Sequence, residues 1–101
     1  MVRRALLVVA LAAVAAPAAS AAPATTKKQA IAIVRGILGK QRDGCNITAV
    51  YSITATSSAV GWHVTAKIRD NGHRDTVKWT VVGKRAVPND PLAAEIAVGC
   101  P

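Results

Sequence analysis

The chain has 101 residues, a mass of 10.4 kDa, two cysteines and a formal net charge of +8. Hydrophobic residues make up 51% of it, aromatics only 3% and charged residues 18%. Such a chain is too short for a multidomain enzyme, has too few cysteines for a disulfide-dense mini-scaffold, and is too apolar to be disordered throughout.

The first stretch reads as an export signal. Arg3 and Arg4 precede an uncharged run from Ala5 to Ala16, Pro17 breaks it, and Ala19-Ser20-Ala21 supplies small residues for a cleavage site. The run is shorter than the ~20 apolar residues a spanning helix needs. The expected division is therefore a signal peptide over residues 1–21, a linker of Ala, Pro and Thr over 22–26, and one small domain over 27–101. Removal of the signal takes away only Arg3 and Arg4, so the secreted or periplasmic product stays strongly basic. An oxidising location implies a disulfide between Cys45 and Cys100. It would close a loop of about 55 residues and contribute about 4 kcal/mol by chain entropy.

A helix is expected from Thr25 or Thr26, either of which can cap it. Ala30, Ile31, Val34, Ile37 and Leu38 recur at helical spacing, and Gly39 or Gly44 offers a stop. After Cys45 the period changes to two. Cys45, Ile47, Ala49, Tyr51, Ile53 and Ala55 alternate with mostly polar partners and predict a strand. Val60, Trp62, Val64, Ala66 and Ile68 predict a second, and Val77, Trp79 and Val81 a third.

The turns set the expected register. Asn71-Gly72 is a type I′ hairpin signal, and it places Trp62 opposite Val81, Val64 opposite Trp79, Ala66 opposite Val77 and Arg69 opposite Arg74. A Ser57-Ser58 turn places Ile53 opposite Trp62, Tyr51 opposite Val64 and Ile47 opposite Ile68. Residues 83–88 read as a loop or a short fourth strand. Asp90 as N-cap, Pro91 in the first turn and Gly99 past the end mark a short C-terminal helix.

The fold class is α+β: an N-terminal helix on a three- or four-stranded antiparallel meander, a short C-terminal helix and one disulfide. This order of elements is similar to cystatin-like and PepSY-like scaffolds in architecture alone. The cystatin inhibitory pattern Q-x-V-x-G is missing, since Thr80-Val81-Val82-Gly83 lacks its Gln and spacing.

Chemistry-bearing constellations are sparse. Ser57 and Ser58 have no histidine-carboxylate pair beside them in the expected register. His63 and His73 fall on the order of 20 Å apart along a ribbon, too far to share a metal. No catalytic residue, metal ligand or cofactor site is expected. Trp62, Trp79 and Tyr51 on the apolar face either fill the core or line a pocket. The opposite face of the second hairpin carries His63, Lys67, Arg69, Arg74 and Lys78, with threonines between them. It makes a local positive field suited to an anionic envelope polymer, a lipid headgroup or an acidic protein. Nucleic acid fits less well, because this expected face has no aromatics for stacking. From Cys45 to Ala66 there is no charged residue, so the first strand, if at an edge, invites pairing by a partner strand.

The leading expectation is a non-catalytic binding module. The alternatives are a small ligand-binding protein or hydrolase using a Trp62/Trp79 pocket, and a secreted protease inhibitor.

Overall fold

The computed structural model describes residues 25–101. The expected signal peptide lies outside the described residues. The elements run α1 (Lys27–Lys40), β1 (Ile47–Ser57), β2 (Trp62–Asp70), β3 (His73–Val82), β4 (Arg85–Pro88) and α2 (Pro91–Val98). The strands form one antiparallel sheet in the order β1-β2-β3-β4. Residues 83–88 thus supply a turn and a fourth strand. Among the described residues no helix is long and apolar enough to cross a membrane.

Thr26 caps α1 with a reciprocal pair of bonds: its hydroxyl accepts from the Gln29 amide, and the Gln29 side chain accepts from the Thr26 amide. Ala30, Val34 and Leu38 form the buried stripe. The helix runs through Gly39 and ends at Lys40 with Gln41 as C-cap, so neither expected glycine stops it. The chain instead leaves by a turn in which the Cys45 amide donates to the Gln41 carbonyl and the Ile47 amide to that of Arg42.

Helix α1 packs on β1 and β2, and α2 packs on β3 and β4. Both feed one core in which Leu38, Val34, Ile68, Val64, Val77, Trp79, Val81 and Ile96 are fully enclosed. The sheet therefore has a covered inner face and an outer face on which no described element packs. Asp90 fixes α2 against the sheet. One carboxylate oxygen accepts from the Ala93 amide as an N-cap, at 2.7 Å, and the other accepts from the Lys78 amide, at 2.8 Å. Cys45 and Cys100 are bonded, which ties the end of α2 to the start of β1.

The β2–β3 hairpin has the register that Asn71-Gly72 dictates. Trp62 pairs with Val81, Val64 with Trp79, Ala66 with Val77 and Arg69 with Arg74. Asn71 and Gly72 have φ of 49° and 80°, the left-handed backbone a type I′ turn needs.

The β1–β2 hairpin differs from expectation. Its loop spans four residues, Ser58 to Gly61, and not Ser57-Ser58, so Ser57 pairs with Trp62, Ala55 with Val64 and Ile53 with Ala66. Ser58 holds the loop: its hydroxyl oxygen accepts from the Gly61 amide, and its own amide donates to the Gly61 carbonyl. Val60, expected on the apolar face, is 64% exposed. Gly61 must be small, because a Cβ there would stand 2.0 Å from the Val81 carbonyl oxygen. Toward its start β1 carries two bulges, between Ile47 and Ala49 and between Val50 and Ser52. They place Ile47 opposite Asp70 and leave Tyr51, whose expected partner Val64 the longer loop gives to Ala55, without a partner in the ladder. Each bulge adds a residue to one strand and turns the following side chains to other directions.

Candidate functional site

Strand alternation sorts the charged side chains of β2 and β3 by face. Val64, Ala66 and Ile68 point inward, so His63, Thr65, Lys67 and Arg69 point outward. Val77, Trp79 and Val81 point inward, so Arg74, Thr76, Lys78 and Thr80 share the outer face. All five expected cationic or imidazole side chains are thus brought together: His63, Lys67, Arg69, Arg74 and Lys78. Cross-strand pairing adds Arg85, opposite the outward Val82. The charge-free β1 lines one border through Ser52, Thr54 and Thr56, paired with Lys67, Thr65 and His63.

The chain's five carboxylates lie elsewhere. Asp75 pairs with Ile68 and so faces inward, and Asp70 ends β2 on that same side, only 6% exposed. Asp43 is in the α1–β1 turn, Asp90 is occupied by two backbone amides, and Glu95 is on α2. The partners that the outward side chains do find carry no negative charge. Arg74 lies over the Tyr51 ring, 4.3 Å from its centroid, and Arg69 donates to the Gly72 carbonyl at 3.3 Å. His63 Nδ1 is 3.3 Å from the Thr80 hydroxyl, which also accepts from the Asn89 amide group.

The three aromatics, read as either core filling or pocket lining, are divided between the two faces. Trp79 is fully enclosed on the inner face. Trp62 is half-buried on the same face, and its indole N–H donates to the Thr25 carbonyl at 2.6 Å. Tyr51, 46% exposed, stacks with outward-pointing Arg74, because the Val50–Ser52 bulge interrupts the alternation that would have turned it inward. The outer face therefore has an aromatic that the sequence pattern did not assign to it. Adjacent apolar Val50 and Tyr51, in an otherwise alternating strand, are a local sign of that bulge in the sequence.

Two grooves formed by described residues lie away from the tryptophans. One of about 270 Å³ runs between α1 and the bulged part of β1, lined by Arg35, Leu38, Arg42 and Ile47 among others. A smaller one, about 160 Å³, borders the disulfide and is lined by Asp70, Asn71, Glu95 and Pro101. Beside it, burial pushes the Asp70 carboxyl up to about 6, and the neighbouring Asp75 carboxyl adds to the rise, partly opposed by His73. Asp70 Oδ1 is buried and finds no hydrogen-bond partner in the protein. Among the described residues no group of three His, Cys, Asp or Glu is arranged to hold a metal ion.

No protein-family model, curated protein or solved structure matches this chain.

Proposed function

We propose that the protein is a small exported binding module that docks an anionic partner on the open outer face of its sheet. One observation carries the reading: the sheet separates its charges, with cations on the uncovered face and both hairpin carboxylates, Asp70 and Asp75, on the covered one. A solvated surface needs no such sorting, since interspersed charges of both signs serve solubility well. Uncompensated cations on a flat face concentrate anions near it and steer them in. The Arg3-Arg4 start, the apolar run and the small residues at 19–21 support export, and the Cys45–Cys100 bond fits an oxidising compartment.

The test is retention on immobilised heparin as salt rises. Lys67, Arg69, Arg74 and Lys78 are replaced together by Gln. A control of equal charge replaces Lys27, Lys28, Arg35 and Lys40, all exposed on α1. The outer-face variant should elute at clearly lower salt than the control, since exposed pairs are screened within a Debye length of about 8 Å at ~0.15 M. Equal losses would mean that net charge alone is being read. Undiminished retention of the outer-face variant would remove the face from the account and leave the β1 edge, which no described strand pairs, as the place where a partner docks.

A further inference from the structure

Arg69 and Arg74 stand directly opposite each other across β2 and β3, on the outer face. Like charges in that position repel and weaken a hairpin. Among the described residues the side-chain partners of this pair do not remove the repulsion, and the adjacent Asp70 and Asp75 face the other side of the sheet. Tyr51 offers Arg74 a ring face and the Gly72 carbonyl takes a hydrogen bond from Arg69; both orient a guanidinium and neither neutralises it. The hairpin tip is also fastened down. The Asn71 amide donates to the Asn46 carbonyl at 3.1 Å, and the Asn46 side-chain amide donates to Asn71 Oδ1 at 3.0 Å. Cys45, next in the chain, is locked by the disulfide. The bulge that presents Tyr51 disrupts the β1–β2 ladder at this end of the sheet, and bulges often re-aim a side chain next to a site. Two unrelated departures from a regular hairpin, a like-charge pair and a bulge, therefore converge on one spot with a rigid base.

We propose that Arg69 and Arg74, positioned by Tyr51 and Gly72, form a binding site for a phosphate monoester group. The proposal rests on the outer-face reading and gives it a ligand chemistry. A monoester carries about −1.5 to −2 charge at pH 7 and three strong acceptor oxygens, which match two guanidinium charges and their forked donors. A carboxylate or a sulfate ester brings a single charge. Lys67, two residues from Arg69 on the same side of β2, stands as a third cation about 7 Å along the strand.

The experiment titrates the oxidised, isotope-labelled protein with phenyl phosphate, phenyl sulfate and benzoate at low salt, above the phosphate's second ionisation near ~6. Amide resonances report the site. Phenyl phosphate should shift Arg69, Gly72 and Arg74 along saturable curves and bind about tenfold or more tightly than the other two probes. Arg69→Gln and Arg74→Gln should each weaken it by about tenfold, and Arg74→Lys, which keeps the charge and loses the fork, by several-fold. Lys78→Gln, on the same face but opposite Thr65, should weaken it less than about threefold. Arg74→Gln should melt no lower than the wild type, because it also relieves the repulsion, so a loss of binding cannot be a loss of folding. Vesicles containing phosphatidic acid, a monoester, should retain the protein better than vesicles of equal phosphatidylglycerol content, and phenyl phosphate should compete it off. Lys78→Gln as damaging as Arg74→Gln, phenyl sulfate as tight as phenyl phosphate, or vesicle binding that phenyl phosphate does not displace would each overturn the monoester site while leaving the outer face a diffuse cationic surface. Absence of any binding, together with heparin retention unchanged in the four-residue variant, would overturn the outer-face reading itself.

Discussion

The two faces of the β2–β3 hairpin are built from alternate residues of the same strands, yet they obey different physics. The inner positions, Val64, Ala66, Ile68, Val77, Trp79 and Val81, are enclosed and exchange water for packing. The outer positions between them, Lys67, Arg69, Arg74 and Lys78, are cationic, and no described element covers them. Substitution inward should therefore be read in stability and substitution outward in binding. A face that was merely solvated would respond in neither. The difference also explains where the hairpin's two acids sit. Asp70 and Asp75 take inner positions at the tip, where burial is a liability for a carboxylate, and thereby leave the outer field unopposed.

The inner face gives the largest effects. Trp79 is the biggest enclosed side chain, and Trp79→Ala should lower stability by about 3–5 kcal/mol. For a domain this small the melting temperature should fall by roughly 15 °C or more. A loss of only a few degrees would mean that the inner face is not the core. Next in size, Cys45→Ala with Cys100→Ala frees a 55-residue separation and should cost about 2–5 kcal/mol, measured by urea unfolding against the oxidised protein. Free-thiol titration of the denatured, unreduced protein should find no thiol.

The tip carboxyls give a smaller effect with an unusual sign. Burial holds the Asp70 carboxyl at about 6 in the folded protein, above its ordinary value of 3.8. Between those values the folded state holds a proton that the unfolded state has released, so stability falls as pH rises toward 6 and is regained as pH falls. The melting temperature should be higher near pH 5 than near pH 7.5 in scans at constant ionic strength. Asp70→Asn should flatten that segment of the profile and raise the melting point at neutral pH. A wild-type profile that rises with pH over this range would contradict the buried Asp70 carboxyl. The outer face closes the series: single changes such as Lys78→Gln should stay within about 0.5 kcal/mol of wild type.

The two hairpins also show what a sequence makes legible. Asn71-Gly72 specifies a turn that needs positive φ at both residues, and it fixed every pairing of β2 with β3, including the placement of the four cations. The β1–β2 loop has no such marker. Ser57-Ser58 and Ser58-Ala59-Val60-Gly61 both turn a chain, and the choice falls to long-range contact: Gly61 must pass the Val81 carbonyl, and the Ser58 side chain ties the loop internally. Ile53 and Ala55 still face inward, because the four-residue loop differs from a two-residue one by an even number. Tyr51 does not, since the bulge lies beyond them along the strand. The helix caps at Thr26 and Asp90 were legible because each depends on local side-chain bonds. Arg85 and Tyr51, the two additions to the outer face, depend on a fourth strand that is one of two readings of residues 83–88 and on a bulge marked only by adjacent apolar Val50 and Tyr51.

Amide chemical-shift mapping with a short heparin oligosaccharide tests the central claim most directly. Binding on the outer face predicts shifts concentrated at 63–69, 74–80 and Arg85, fading together as salt rises, with α1 undisturbed. Shifts centred on Lys27, Lys28, Arg35 and Lys40, or spread evenly over every basic residue, would contradict it.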